Sequence, residues 1–352
     1  MSMHAKVKSA VTALLPVLVF AGGAVLVLVM LLLLTGHSPG PALAALARGA
    51  AGSGYALSST IVRSIPLALS GLAVALAFRA GLLNIGAEGQ LLVGACAATA
   101  VGVALRATPG VIAIPVMLAA GAIAGAGWAW IAAALRKRYG VLEVISTIML
   151  NFVAINITGW LVRGPLQEPT RINPQSASLP LSQQLPIVIP TTRIHVGAVV
   201  AVALALGLWW WLRATASGFR LRAVGANPLA AASAGKIDVS RTAMVAFLIS
   251  GALAGLAGSV ELTGVTYALY ENFSPGYGYT AIAVALLARL NPLGVLATAL
   301  LFGALEAGAG AMQRDAAVPS VVVSVVEAAL ILMLVAADRW QSRAGQRLAT
   351  SL

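Results

Sequence analysis

Charge, cysteine and histidine are all scarce in this sequence, and each scarcity excludes something. Only 9% of the 352 residues are Asp, Glu, Lys or Arg, against about 25% in an ordinary soluble domain. Such a chain cannot cover a water-facing surface, so soluble enzymes, nucleic-acid-binding modules and disordered scaffolds are excluded. Cys96 is the sole cysteine, which leaves no disulfide within the chain and no thiolate metal cluster. Its apolar surroundings make it a small core residue. His4, His37 and His195 all fall outside span interiors, so neither a proton relay nor a histidine metal triad is suggested. The spans also lack Asp.

Hydrophobic residues are abundant: they make up 60% of the chain, and the mean hydropathy is +0.95. A crossing needs about 20 apolar residues, so the length accommodates about ten. The chain reads as an all-α polytopic membrane protein. Candidate spans are 11–34, 58–78, 86–105, 111–135, 141–162, 194–212, 242–262, 277–290, 293–312 and 318–337. The first is too long for a cleaved leader and reads as a membrane anchor.

The net charge of +12 comes from 22 Lys+Arg against 10 Asp+Glu. With both termini cytoplasmic, only Arg48, Arg63, Arg106, Arg163, Arg171, Arg193 and Arg314 lie at outer ends. The other 15 of the 22 basic residues lie at inner ends. That is the bias the positive-inside rule requires, and it explains the basic excess without nucleic acid. The reading divides the chain into a cytoplasmic N-terminus (1–10), a membrane domain (11–337) and a cytoplasmic tail (338–352).

Two connections are long. Residues 163–193 carry six prolines, which prevent a long helix, so this is an outer loop that could serve as a docking surface. Residues 213–241 face the cytoplasm. There Asn227-Pro228 signals a helix start, with Asn as cap and Pro in the first turn. A short helix follows over 229–234 and ends at Gly235. It is either a grip for a cytoplasmic partner or an ordinary amphipathic connector. Gly121-x-x-x-Gly125 and Gly251-x-x-x-Gly255 permit close helix packing.

Ionisable groups inside a membrane usually face a cavity or a partner. Glu143 and Glu261 sit near span boundaries, where water satisfies them. Glu306 and Glu327 lie within the last two spans, as helix ties or path residues. The densest polar run is Arg79-Ala-Gly-Leu-Leu-Asn-Ile-Gly-Ala-Glu-Gly-Gln90. Its Asn84, Glu88 and Gln90 fit either an interrupted helix lining a transport path or a tight cytoplasmic turn capped by Asn. The aromatic cluster 267–279 fits interfacial anchoring, or else its tyrosines, Tyr267 among them, and Asn272 line an entrance for a polar, ring-containing solute.

Residues 66–94, with Asn84-Ile-Gly-Ala-Glu-Gly-Gln90 at their centre, closely resemble the signature of bacterial ABC importer permeases. The group concerned handles branched-chain amino acids, ribose and nucleosides, and the motif is similar to its sugar/nucleoside subgroup. Arg222-Ala-Val-Gly-Ala-Asn-Pro-Leu-Ala-Ala231 resembles the coupling segment of these permeases. One departure is Ala-Ala-Ser-Ala-Gly-Lys-Ile at 231–237, which carries a Lys after the glycine.

The resemblance runs from about residue 58 to residue 337. It implies a type II ABC importer-like fold in the bacterial inner membrane. It also implies a cytoplasmic ATPase gripping Arg222, Gly225, Asn227, Pro228, Leu229 and Ala231, a solute-binding lipoprotein, and a second permease, with a paralogous chain favoured over a second copy of this one. The chain itself needs no cofactor and is not an enzyme: it has no G-x-x-x-x-G-K-[ST] phosphate loop. Nucleosides are the leading solute and simple sugars the next. The competing reading is an ion-coupled secondary transporter of a small polar solute, which would need no ATPase.

Overall fold

The computed structural model describes residues 22–329 apart from 24, 236, 320, 323, 326 and 327. The two terminal segments expected to be cytoplasmic (1–10 and 338–352), much of the first and last candidate spans, and Glu327 therefore lie outside the described residues. The described chain is helical, with three isolated β-bridges and no strand.

Among the described residues, seven helices are long and apolar enough to cross a membrane. They are α3 (Gly54–Arg79), α4 (Ala87–Ala104), α5 (Gly110–Tyr139), α6 (Glu143–Arg163), α7 (Gly197–Ala214), α10 (Val239–Glu261) and α12 (Pro292–Ala316). Two shorter apolar helices, α1 (Val25–Leu34) and α11 (Tyr277–Leu287), add to them. Three more helices are not spans: α2 (Pro39–Ala51), α8 (Ala216–Ala226) and α9 (Pro228–Gly235).

Seven of the ten expected spans are therefore long helices. An eighth, expected over 277–290, contracts to the 11 residues of α11. At about 1.5 Å per residue, α11 covers roughly 16 Å, half the hydrocarbon thickness of about 30 Å.

The chain divides into two compact units. One comprises residues 1–56 and 305–352, the other residues 57–304. The first is held by a cluster of Leu28, Leu32, Ala42, Ala45, Ala309, Met312 and Val318. Here α2, started by Pro39, lies so close to α12 that a Cβ at Gly49 would overlap that of Ala311. Arg48 and Asp315 form an exposed ion pair at 3.8 Å.

The second unit is built around α4, α5 and α10, which make its most extensive mutual contacts. The two glycine motifs meet each other. A Cβ at Gly255 would strike the carbonyl oxygen of Gly121, one at Gly251 the carbonyl of Gly125, and one at Gly94 the carbonyl of Gly255. In lipid there is no hydrophobic drive between helices, so dispersion across such backbone-to-backbone contact supplies the association energy. Cys96 is buried on α4 and lies 3.4 Å from the Thr158 hydroxyl.

This contact predicts an asymmetry among the glycines. Gly255→Val forces a branched side chain into the carbonyl of Gly121 and should cost at least 1–3 kcal/mol, read as a lower melting temperature of detergent-purified protein. Gly207→Ala on α7, where nothing lies within 4 Å of an added Cβ, should leave that temperature unchanged or raise it slightly.

Candidate functional site

The polar run between α3 and α4 is an interruption within the bundle. Its first part lies beside Glu143, where the Leu83 amide donates to the Glu143 carboxylate at 3.4 Å. Its last part lies beside Asn151, whose Oδ1 accepts from the Gly89 amide at 2.9 Å. Those two partners are eight residues apart on α6, a climb of about 12 Å. The chain thus leaves α3 at the basic end of the bundle, turns at Gly81 (φ +76°), and rises along α6 to enter α4 beside Asn151. Gly81 and Leu83 are exposed, whereas Asn84 and residues 86–90 are buried, and there protein groups must satisfy the backbone.

They do so through buried amides. Asn84 is fully buried. Its Oδ1 accepts from the Gly86 amide (3.0 Å) and from Gln90 Nε2 (3.1 Å), while its Nδ2 donates to Gln90 Oε1 and Ser250 Oγ, both at 2.9 Å. Ser250 in turn donates to the carbonyl of Ala73 at 2.7 Å. Asn151 donates through Nδ2 to the carbonyl of Ile85 (2.9 Å) and to the Tyr279 hydroxyl (3.3 Å). Asn84 and Gln90 therefore bind the break to α10 and α3, and Asn151 binds it to α6 and α11.

Glu88 completes the joint. It is 3% exposed, and its Oε2 accepts from the Gly278 amide at 2.7 Å as well as from the Ser274 side chain. A helix start leaves four amides without helical partners, and all four of α11 are answered. Tyr277 donates to Ser274 Oγ, Gly278 to Glu88, and Tyr279 and Thr280 to the Gly276 carbonyl. The C-terminal ends of two interruptions of the helical bundle, 80–86 and 267–276, thus come together around Glu88.

The second interruption begins with a π-helical turn, Leu262–Thr266, ended by Tyr267 in the left-handed region (φ 58°). π-Turns are common at functional sites. Tyr267 is half-buried and donates its hydroxyl to the Gly264 carbonyl at 3.2 Å. Asn272 is exposed, also with positive φ. Neither residue touches the Asn84 network. Glu261, expected to be wet, is 5% exposed, accepts a hydrogen bond from the Tyr277 side chain and senses the charge of Arg63. Glu143 is likewise buried and is paired with Arg136 at 3.0 Å. Glu306 is half-buried on α12.

The proline-rich stretch 163–193 has no long helix, only the 3-10 turn Leu181–Gln183. It is tied to the second interruption: Ser176, Leu179 and Leu185 donate to the carbonyls of Leu269, Tyr267 and Thr263 at 2.7–2.8 Å. Arg163 pairs with Glu271 at 2.6 Å.

Next to this stretch, His195 is buried, and its Nδ1 accepts from the Gly197 amide at 3.2 Å. Nε2 is then the protonated nitrogen, and it is buried without a partner. Burial, helped by nearby Arg193, pushes the His195 pKa down to about 4.

At the basic end, the connection 213–241 holds two helices where one short helix was expected. α8 is capped by the Thr215 hydroxyl, which accepts from the Gly218 amide at 3.0 Å. α9 extends the expected 229–234 helix to Pro228–Gly235. Asn227 Oδ1 accepts from the Ala230 amide at 3.0 Å, the capping geometry its position implies. Leu229 is 81% exposed and Ala231 is buried. Arg222 is half-buried on α8, with Nε unpartnered. A Cβ at Gly225 would strike the carbonyl of Arg79, and Gly225 also faces Gly81. α8 therefore rests directly on the turn that begins the polar break, and α9 follows α8 in the chain. Sequence reasoning missed Asn151 and Ser250, and it marked the cluster holding Ser274 and Tyr277 without their contacts to Glu88 and Glu261. The only available signal was that polar residues inside apolar runs need partners.

Comparison with known proteins places this geometry. Residues 56–336 match the model of the branched-chain amino acid transport system permease component family. The chain belongs to that family. It is 41% identical over 309 residues to the guanosine ABC transporter permease protein NupP of Bacillus subtilis, covering 87% of this chain and 88% of the relative. A glucose ABC transporter permease protein of Haloferax volcanii is 38% identical, with 81% and 77% covered. The nucleoside ABC transporter permease protein NupB of Lactococcus lactis is 32% identical, with 81% and 80% covered. Bacillus subtilis and Lactococcus lactis each contribute a second, more distant match, NupQ at 29% and NupC at 26% identity. No solved structure matches.

Two predictions follow from this geometry. Asn84→Ala strands the Gln90 amide and the Gly86 N–H, and each buried unpaired group costs about 1–3 kcal/mol. The variant should melt below wild type by several degrees. Lowering pH from about 6.5 to about 4 protonates an unfolded histidine but not the buried His195, so stability falls across that window. The loss should be smaller in His195→Gln, as measured by melting temperature against pH.

Proposed function

We propose that this chain is the membrane-spanning permease of an ATP-driven importer that brings a nucleoside into the cell, with a simple sugar as the next candidate solute. ATP would be hydrolysed on a separate cytoplasmic chain, and the basic end of the bundle faces the cytoplasm. The observation carrying this reading is the seat of Gly225 on the backbone of Arg79. α8 thereby abuts the start of the polar break, and the exposed, Asn227-capped α9 follows α8 directly, without an intervening flexible linker.

On this reading Gly225, Asn227, Pro228, Leu229 and Ala231, with Arg222, form the ATPase contact. Asn84, Glu88 and Gln90 frame the translocation path at depth, and Tyr267 and Asn272 stand nearer its outer mouth. ATP binding moves α9, α8 transmits the movement to residues 79–81, and the joint around Glu88 alternates access between the two sides. Permease pairs in the relatives' organisms support a paralogous second permease as partner. The loop 163–193 presents exposed Ile172, Leu181 and Ile187, which suit a solute-binding lipoprotein at the outer face of a bacterial inner membrane.

Uptake of radiolabelled guanosine, with glucose in parallel, tests the reading in cells carrying the chain and its co-encoded subunits. Uptake should require an ATPase with an intact phosphate-loop lysine. Gly225→Val should lower it at least tenfold at unchanged membrane abundance. Uptake that survives an inactive ATPase would establish ion-coupled transport instead.

A further inference from the structure

A cleft of about 510 Å³ lies where the end of α7, α8 and the start of α10 meet. Its mouth carries Arg220 and Arg241, both exposed, with the hydroxyls of Ser217 and Thr242. Neither arginine is in an ion pair among the described residues. The one carboxylate on the rim, Asp238, is occupied as the cap of α10, accepting from the Arg241 amide at 2.8 Å. The Thr242 hydroxyl donates to the Asp238 carbonyl, and Ser217 accepts from the Trp211 indole. Each hydroxyl oxygen keeps capacity for a further bond.

Inward, the character changes. Trp211 and Val245 line the wall. Val245 is 44% exposed and stands six residues into α10, about 9 Å along the helix. The neighbouring surface is interfacial: Trp210 and Phe219 are exposed, and the Arg213 guanidinium lies 4.7 Å from the Trp209 ring centroid. Tryptophan and arginine sort to the headgroup level of a bilayer in this way.

We propose that the cleft binds an anionic phospholipid of the leaflet at the basic end. Its phosphate lies between Arg220 and Arg241, and an acyl chain follows Trp211 and Val245. Two guanidiniums without carboxylate partners match a phosphodiester, to which arginine donates in a planar fork. The apolar wall needs hydrocarbon. A soluble anion meets the first requirement alone. An acidic protein partner can reach the arginines but not follow the wall to Val245. Basic pockets between helices at this depth are a recognised means of holding anionic headgroups. The proposal does not depend on the transport reading, because lipid retention is read on this chain alone.

Native mass spectrometry of the full-length chain, released from detergent with dioleoylphosphatidylglycerol or dioleoylphosphatidylcholine, measures the preference directly. Wild type should retain phosphatidylglycerol about 10- to 30-fold more tightly than phosphatidylcholine, as expected for two interfacial charges. R220Q/R241Q should abolish that preference, R220K/R241K should keep most of it, and R106Q, at the far end, should keep all of it. A comparable elution volume for R220Q/R241Q excludes misfolding. The proposal is overturned if the glutamine pair still prefers phosphatidylglycerol. Displacement of the lipid by equimolar inorganic phosphate would overturn it too, by marking a site for a soluble anion. It also fails if the pair keeps the lipid but loses the ATPase, since the cleft would then be a protein contact.

Discussion

Hydrocarbon offers no water to a peptide group, so wherever a helix stops inside a membrane the protein must supply every missing hydrogen bond itself. That constraint organises the 57–304 unit. Its helices are interrupted at 80–86 and at 267–276, and where the two interruptions approach each other buried side chains from other helices supply the missing bonds. Asn84 and Asn151 act as substitute backbone, presenting an amide wherever the helical ladder lapses. Glu88 does the same for α11. The glycine contacts among α4, α5 and α10 belong to the same logic: a tightly packed trio gives those side chains fixed positions from which to reach.

The membrane class and most helix positions were legible in the sequence, because apolar runs of about 20 residues have no soluble use. The cap and first turn of α9 were legible in Asn227-Pro228, since both residues act locally. α8 was not, because Ala216–Ala226 combines two glycines, two arginines and no apolar period. α11 came out shorter than expected for a related reason. Hydropathy sees apolar residues up to Leu290, whereas Arg289 and Leu290 adopt positive φ and end the helix.

The site was legible in part. The run 79–90 stood out by composition, but its depth could not be read, because what places it are partners 62, 166 and 190 residues away in sequence. Its two sequence readings, a path-lining break and a capped turn, turn out to share features. Asn84 does cap, and it caps within the bundle. Glu261 shows the opposite difficulty. A carboxyl near a span boundary looks the same in sequence whether wet or buried, and here its contact with Tyr277 accompanies burial.

The start of α11 carries one more implication. The electropositive end of a half-length helix is ordinarily an invitation to a negatively charged guest. In this chain the invitation is already taken up by Glu88, Ser274 and the Gly276 carbonyl. No vacant berth for a phosphate or carboxylate remains at that spot unless the joint first opens.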